Sequence, residues 1–465
     1  MIMPLLPILL TMAGLLVASI PLAAQDFPPD DYHGSSAAVF PTAEPPRALS
    51  ATAEQIFSRA QPRLLQIRTL LKTAQKQSSI GSGFLVNADG LAITNYHVVS
   101  QYALEPNTYQ LEYVAADGSK GKLFLYAIDV INDLAVVRPD VPEGTRFQFF
   151  EFNPAAVKGI LPKGERLFAM GNPLDLGFTI VEGIYNGLVE KSYQTRVHFT
   201  GALNPGMSGG PTVTSDNRIA GVNVAKMIRG DLVSFLVPAD AAYALLGKVQ
   251  NSDEMDAANV RKEISEQLAA WQNEFFAKLK EQGFRKAVFG PYTAAESNAD
   301  WFNCWATTNS DERPKPRALI NRSSCDTGMH LFLANDMSAG NTQLSHTYLK
   351  AQDLNAMQFS EVLTRHAQLY LPWRAQNRYT PFRCYENFLA SNVETPHRPV
   401  LRVTWCARAY RDIPEIYDVS VLAVTQDNNK EALVSNLSLH GVGFDNALMF
   451  TGEFLSTLEV NHDLD

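Results

Sequence analysis

The chain has 465 residues, a formal net charge of −9, and a composition that is 46% hydrophobic and 10% aromatic. This length exceeds what one hydrophobic core usually organises, so we expect two folded domains, and the apolar content excludes a chain dominated by disorder. The acidic balance and the lack of clustered Lys and Arg argue against nucleic acid as a partner, because phosphate binding needs concentrated positive charge.

The first 24 residues carry no charged side chain and end in small residues before Gln25. This is typical of an export signal peptide cleaved near Ala24, although the usual leading Lys or Arg is missing. A retained membrane anchor is the alternative, because about 20 apolar residues can span a bilayer. Three prolines interrupt the segment and favour removal. We therefore expect an exported protein, periplasmic or secreted, with no membrane contact after cleavage.

Residues 25–49 mix Pro, Ser, Ala and Asp without apolar periodicity, which predicts a flexible leader. A short helix is predicted after it, because Thr52 and Gln55 have capping-box spacing and four apolar residues could share one helical face, namely Ile56, Ala60, Leu64 and Leu65. From about 65 to 245, short apolar runs alternate with Gly, Asn, Asp and Pro signals. That pattern indicates an antiparallel sandwich or barrel, and we assign the first folded domain to residues 50–248.

From 253 to 284 the apolar period becomes helical, and the stripe comprises Val260, Ile264, Leu268, Trp271, Phe275 and Leu279. We interpret this segment as a helical connector between two domains. The remaining residues, 285–465, contain the strand-like runs MHLFLA, VLRVTW and IYDVSVLAVT and a predicted helix around 355–366. They are expected to form an α+β domain.

All four cysteines lie in the last third of the chain. In an exported protein this favours disulfides, and four cysteines allow three pairings. The nearly equal spacings favour two local loops, Cys304–Cys325 and Cys384–Cys406. A zinc site is the alternative, but the sequence contains no CxxC pair, so we expect no metal.

The segment NPGMSGGP at 204–211 surrounds one serine with glycine and proline. A serine hydroxyl is a poor nucleophile unless a base takes its proton and donors stabilise the developing oxyanion. Glycine at 206 would let the amides of Gly206 and Ser208 point into one small concavity, because glycine adopts backbone angles closed to other residues. Taken alone, the run SGG favours a plain glycine-rich turn with an incidental serine.

Two further segments supply the missing chemistry. TNYHVV at 94–99 places His97 after an apolar strand, where a lone histidine is usually a core residue, and NDLAVV at 132–137 places Asp133 where a turn residue would serve. Together the three segments provide a base, an orienting acid and a nucleophile in one β-rich region. Asp129 is a competing carboxylate four residues before Asp133.

In order and spacing, the segments GSGFLV, TNYHVV, DLAVV, AMGNP and NPGMSGGP resemble the successive blocks of HtrA-type serine proteases over roughly 51–245. The resemblance implies a chymotrypsin-like double antiparallel β-barrel. It also implies His97 as general base, Asp133 as its orienting partner and Ser208 as nucleophile, with an oxyanion hole formed by Gly206 and Ser208 and helped by Met207. Asp133 is preferred over Asp129 because it begins the family's DLAV block. No cofactor is implied.

The chain departs from the family pattern at Met207, where asparagine is usual. Ala202, six residues before Ser208, would lie at the base of the specificity pocket, so small or medium apolar side chains are the expected substrates. The pocket walls would come from Asn223, Val224 and Ala225, whose alternative role is barrel core. GVGF at 441–444 resembles a PDZ carboxylate-binding loop, but only 21 residues follow it. We therefore predict no PDZ domain.

These observations favour an exported serine endopeptidase that hydrolyses extended or unfolded polypeptides. The alternative is a binding or sensing protein that uses the protease domain as a scaffold, with the C-terminal domain as a ligand-binding or gating module. HtrA-type enzymes often form trimers, so an oligomer is possible.

Overall fold

The computed structural model of the protein describes residues 51–224, 233–249, 253–369, 371, 377–393 and 396–460. The predicted signal peptide and leader lie outside these residues. Within the described ranges, no helix combines the length and the apolar character needed to cross a membrane. The helices are α1 (Ala51–Ala60), α2 (Tyr96–Leu104), α3 (Pro154–Val157), α4 (Ala239–Gly247), α5 (Ala257–Gln282), α6 (Ala356–His366) and α7 (Phe444–Ser456).

Six antiparallel strands close into a first barrel in the order β1-β2-β3-β6-β5-β4. They are β1 (Leu64–Leu71), β2 (Lys76–Leu85), β3 (Ala92–Thr94), β4 (Tyr109–Ala115), β5 (Lys120–Asp129) and β6 (Leu134–Pro139). The predicted first helix was too long, because α1 stops at Ala60 and Leu64 and Leu65 already belong to β1. Pro62 explains the early end, since proline cannot continue an α-helix.

A second closed barrel follows in the order β7-β8-β9-β12-β11-β10. Its strands are β7 (Arg166–Gly171), β8 (Thr179–Leu188), β9 (Val197–Phe199), β10 (Pro211–Val213), β11 (Ile219–Val224) and β12 (Ser234–Pro238). Phe84 and Val136 of the first barrel and Phe168 and Val222 of the second are completely buried in one shared cluster. The double β-barrel predicted from the sequence is thus confirmed, and the two barrels meet along an apolar seam.

Helix α5 confirms the predicted helical stripe and belongs to two cores. It begins where the Asp256 side chain accepts a hydrogen bond from the amide of Asn259, an N-cap. Its first half buries Val260 and Leu268 in the core of the first barrel, and its second half buries Phe275 in the core of the C-terminal region. The helix therefore joins the two regions by packing as well as by chain connection.

The C-terminal region is built on a seven-stranded antiparallel sheet in the order β15-β16-β19-β23-β22-β21-β20. These strands are β15 (Asn303–Thr308), β16 (Ala318–Asp326), β19 (Thr342–Ala351), β20 (Arg383–Leu389), β21 (Leu401–Ala409), β22 (Ile416–Thr425) and β23 (Glu431–Gly443). The others are β13 (Phe284–Phe289), β14 (Tyr292–Ser297) and β24 (Glu459–Val460), which form a small sheet, and the hairpin β17 (Leu331–Ala334) and β18 (Met337–Ala339).

Helices cover both faces of this sheet. Leu344 and Leu437 pack in the cluster that contains residues of α5 and α7, whereas Leu349 and Val434 pack with Phe359 of α6. Because successive side chains of a strand point to opposite faces, α6 lies on the face opposite α5 and α7. The mixture of helices and antiparallel strands agrees with the α+β prediction.

Disulfides join Cys304 to Cys325 and Cys384 to Cys406. In each pair the two cysteines lie directly opposite one another on adjacent strands, β15 with β16 and β20 with β21. Since β15 and β20 are the edge strands of the seven-stranded sheet, each disulfide fastens one edge to its neighbour.

The hairpin β17–β18 reaches from the C-terminal region onto helix α2 of the first barrel. Leu331 and Leu333 are at most 1% exposed and share the barrel's cluster, and the hydroxyl of Tyr96 donates to the Leu333 carbonyl at 3.0 Å. At the other end of α2, the Arg378 guanidinium contacts Glu105 at 2.6 Å and Asp412 at 3.1 Å. The regions predicted as separate domains therefore share one hydrophobic core.

Candidate active site

His97 lies in the first turn of α2, and one carboxylate holds both its ring and its backbone. Its Nδ1 donates to Asp133 Oδ2 at 2.7 Å, and its amide donates to Asp133 Oδ1 at 2.9 Å. Because the carboxylate can only accept, the proton is assigned to Nδ1 and Nε2 is left as the basic atom. The His97 side chain is 28% exposed and that of Asp133 is 13% exposed, so the pair is partly shielded from solvent.

Asp133 adopts a left-handed backbone conformation, with φ of 62°. Aspartate tolerates this region better than most residues. Its carbonyl accepts from Asn95 Nδ2 at 2.7 Å and from the Tyr96 amide at 3.2 Å, so the segment before His97 holds the turn in place. The competing carboxylate of Asp129 instead accepts from the amide and the side chain of Asn132. The structure thus brings Asp133, and not Asp129, to His97.

The environment of His97 makes its ring more basic. Burial alone would lower the pKa of His97, but the charge of Asp133 and its hydrogen bond outweigh burial and raise the pKa above the ordinary value of 6.5. Near neutral pH the ring therefore gains a proton more readily than an isolated imidazole.

The segment before Ser208 forms a tight turn. The Met207 amide donates to the Asn204 carbonyl at 3.0 Å, and Gly206 has a φ of 96°. Proline followed by a residue of positive φ at the two central positions is the pattern of a type II turn. A Cβ at position 206 would lie 2.5 Å from the Asn172 carbonyl oxygen, so only glycine fits. Among the described residues, the Gly206 amide donates to no backbone carbonyl.

The loop also carries Ser208 to the segment that precedes His97. Ser208 is 4% exposed, and its carbonyl accepts from the Ser82 amide at 2.8 Å. Gly209 has a φ of 81°, and a Cβ there would lie 2.7 Å from the Asn95 amide nitrogen. The residue after the serine thus lies against the residue two positions before the histidine. Ser82 belongs to β2 of the first barrel, so this contact crosses the seam between the barrels.

Met207 does not contribute as the sequence suggested. Its amide is engaged in the turn with Asn204, so it is not free to join the oxyanion hole. Its side chain is completely buried, and its carbonyl accepts from the Gly210 amide at 3.0 Å. An apolar side chain at this position is therefore accommodated as core.

The predicted pocket residues differ in how far they are exposed to solvent. Ala202 is exposed, and Val224 is half-buried at the end of β11. Asn223 is completely buried, and its Nδ2 donates to the carbonyls of Met170 at 2.8 Å and Met207 at 3.2 Å. It therefore supports the loop around Ser208 from inside, and the prediction that it lines an open pocket is corrected. Ala225 lies outside the described residues.

Two residues near the site were missed by the sequence analysis. The Phe332 ring of β17 meets the His97 ring edge to face, with centroids 5.9 Å apart. Arg196 is half-buried near Asp133 and Asp129, and desolvation lowers its pKa to about 10 although both carboxylates oppose the change. Neither contact has a local sequence signal. Among the described residues, no cluster of three or more His, Cys, Asp or Glu could hold a metal ion.

Phe332 is a candidate positioning residue, and Phe332→Ala is expected to lower the turnover of a Ser208-dependent reaction about tenfold, because the histidine loses a wall that fixes its ring. The kcat should fall while KM and the melting temperature change little, and Phe332→Leu should restore most of the rate. Phe388→Ala, at an aromatic that is 61% exposed on β20, is the control. A fall in rate that only follows the loss of folded protein would contradict this role.

Comparison with known proteins agrees with this geometry. Residues 81–222 match the family described as "Trypsin-like peptidase domain". The chain is 32% identical over 171 residues to the probable periplasmic serine endoprotease DegP-like of Bartonella henselae, covering 35% of this chain and 32% of the relative. It is 32% identical over 184 residues to serine protease HTRA2, mitochondrial, of Bos taurus, covering 37% of each chain.

A plant protein gives a similar match. Protease Do-like 1, chloroplastic, of Arabidopsis thaliana is 28% identical over 180 residues, which cover 36% of this chain and 39% of the relative. The chain thus spans well under half the length of the relatives it matches. The match to the trypsin-like peptidase domain, residues 81–222, lies within the part of the chain that forms the two barrels, and the chain is similar there to HtrA-type and DegP-like serine proteases.

Proposed function

We propose that the protein is a serine endopeptidase in which Ser208, His97 and Asp133 act together. The observation that carries the proposal is that the Asp133 carboxylate accepts hydrogen bonds from both the ring and the backbone amide of His97. A carboxylate so placed fixes the tautomer that leaves Nε2 free to accept a proton, and it stabilises the imidazolium that results.

In this mechanism the Ser208 hydroxyl attacks a peptide carbonyl while His97 Nε2 accepts its proton. The carbonyl oxygen becomes negative and is stabilised by the amides of Gly206 and Ser208. His97 then donates the proton to the leaving amine. In the second half of the reaction water attacks the acyl-enzyme while His97 accepts its proton, and His97 returns that proton to the departing Ser208 oxygen. Asp133 remains ionised throughout.

The substrates proposed are extended or unfolded polypeptides with small or medium apolar side chains at the cleavage position. Ala202 supports this preference, because it adds no charge to the region predicted to form the pocket. Export is also part of the proposal. The two disulfides suit an oxidising compartment, and the relative from Bartonella henselae is named as probably periplasmic.

The test combines covalent labelling with hydrolysis. The protein is incubated with an active-site fluorophosphonate and with unfolded casein, beside Ser208→Ala and a control, Ser310→Ala, which changes an exposed serine. The unchanged protein and the control should be labelled and should degrade casein, whereas Ser208→Ala should do neither. Intact casein and an unlabelled Ser208 over a range of pH and temperature would refute the proposal.

The pH dependence gives a separate expectation. Catalysis needs neutral His97, so kcat/KM should fall as the pH is lowered through the pKa of that ring. Because Asp133 raises this pKa, the midpoint of the acid limb should lie above 6.5. A profile of kcat/KM on a peptide substrate measures it. A midpoint below 6.5 would mean that burial outweighs the carboxylate in the working enzyme.

A further inference from the structure

A cavity of about 690 Å³ opens on the seven-stranded sheet of the C-terminal region, far along the chain from the peptidase residues. It is lined by Thr307 of β15, by alternate residues of β16, β19 and β23, and by the end of α6 and the residues after it. A volume of this size is in the range that accommodates small organic ligands.

The lining is mostly polar, with buried hydroxyls at its floor and exposed residues, Arg322 and His366 among them, at its rim. Ser345 is 5% exposed and Thr347 is 8% exposed, and Gln343 and Asn436 line the same cavity. A sheet face that merely meets solvent would leave such side chains open to water. Hydroxyl and amide groups gathered in a concavity instead offer several hydrogen bonds to one molecule.

The ionisable side chains that line the cavity are basic. Arg322 and His366 line it, and no carboxylate does. Arg322 makes no ion pair with any described acidic residue, whereas Arg408 of the same sheet pairs with Asp418 at 2.7 Å. In a chain with a net charge of −9, an exposed guanidinium that pairs with no described carboxylate therefore lines a polar cavity.

The imidazole at the rim adds hydrogen-bonding capacity. Burial and the guanidinium groups of Arg322 and Arg365 lower the pKa of His366, so the ring is neutral near pH 7 and can both donate and accept. Trp305, which is 75% exposed, lies two residues from Thr307 on β15 and therefore on the same face of the sheet. An exposed aromatic ring on this face can stack on the body of an organic ligand.

We propose that this cavity binds a small polar organic molecule through an oxyanion group, a carboxylate or a phosphate, that pairs with Arg322. Guanidinium groups bind both anions in the same bidentate geometry, and the amide and hydroxyl side chains around Arg322 suit a hydroxyl-rich body. The site is separate from the peptidase residues and does not depend on the proposed function.

Three probes that share a polyol body test the proposal by isothermal titration calorimetry on the full chain carrying Ser208→Ala. They are gluconate, glucose 6-phosphate and uncharged glucose. At least one anionic probe should bind more than about tenfold tighter than glucose, because a hydrogen bond to a charged group is stronger than a neutral one. The tighter of the two anions identifies the group that the cavity prefers.

Substitutions locate the binding. Arg322→Gln should weaken the anionic probe at least about tenfold and leave glucose unchanged, and Arg322→Lys should give an intermediate loss. Arg383→Gln, at an exposed arginine outside the cavity, is the matched control and should bind as the unchanged chain does. The melting temperature of each variant shows that it is folded.

Three results would overturn the proposal. Glucose that binds as tightly as both anions would show a site for neutral polyols. Equal losses in Arg322→Gln and Arg383→Gln would place the anion elsewhere. No binding of either anion at concentrations up to about 10 mM, where even weak sites fill, would exclude an oxyanion site of useful affinity. Because the readout is heat of binding by an inactive variant, none of these results bears on peptidase activity.

Discussion

Asp133→Asn is expected to lower kcat about 10⁴-fold in the proposed reaction, while the protein stays folded. An asparagine amide would donate toward His97 Nδ1 where the carboxylate now accepts, so the ring would carry its proton on Nε2 and could not take one from Ser208. The substitution is suited to the position, because asparagine also tolerates the left-handed backbone found there.

Asp129→Asn is the matched control for this experiment. Asp129 lies in the same turn, but its carboxylate binds Asn132 and not His97, so this variant should keep most of the activity. The Asp133 variant should also have an acid limb shifted to lower pH, because burial then acts on the pKa of His97 without an opposing charge. Equal losses in the two variants would show that the turn matters only as a structural support.

A chain that ends at residue 249 is expected to lack a stable fold and therefore any activity. The residues it would lose from the core of the first barrel include five large aliphatic ones that are at most 1% exposed, Val260, Ile264, Leu268, Leu331 and Leu333. Their burial contributes roughly 7–15 kcal/mol at about 1.5–3 kcal/mol for each side chain. That is comparable to the whole unfolding free energy of a typical domain, about 5–15 kcal/mol.

Thermal melting followed by circular dichroism, together with casein hydrolysis, measures the effect of this truncation. The full chain carrying Ser208→Ala provides the reference for folding without activity. The result also separates two roles of the C-terminal region. If the C-terminal region is only a gate, the truncated chain should stay folded and show changed activity. If the two regions share one core, the truncated chain should not fold and should show no activity. A truncated chain that melts cooperatively and cleaves casein at the rate of the full chain would contradict the shared core.

The parts of the site that the sequence predicted are those encoded by local patterns. Pro205 and Gly206 specify a type II turn by themselves, and the spacing of apolar residues from Val260 to Leu279 specifies a helix with one buried stripe. The double barrel was predicted from the order of the segments around His97, Asp133 and Ser208. These segments resemble those of one family, and the resemblance implies that family's fold.

The parts that the sequence did not predict depend on contacts between distant segments. Phe332 meets His97 because a hairpin from the C-terminal region folds back onto α2, and nothing near either residue indicates this. The sequence of this strand did not show which way the Asn223 side chain points. It points inward, where it donates hydrogen bonds to the carbonyls of Met170 and Met207. The cavity beside Arg322 likewise gathers residues from four strands and one helix.

The hairpin on helix α2 also has a consequence for how the protein is made. Tyr96 and the carbonyl that it binds, in Leu333, are 237 residues apart in the chain. At about 5–20 residues per second, a ribosome needs roughly 10–50 s to travel between them. Throughout that interval helix α2, which carries His97, lacks its contacts with the hairpin β17–β18. The order of the chain thus delays completion of the peptidase until most of the polypeptide has been synthesised.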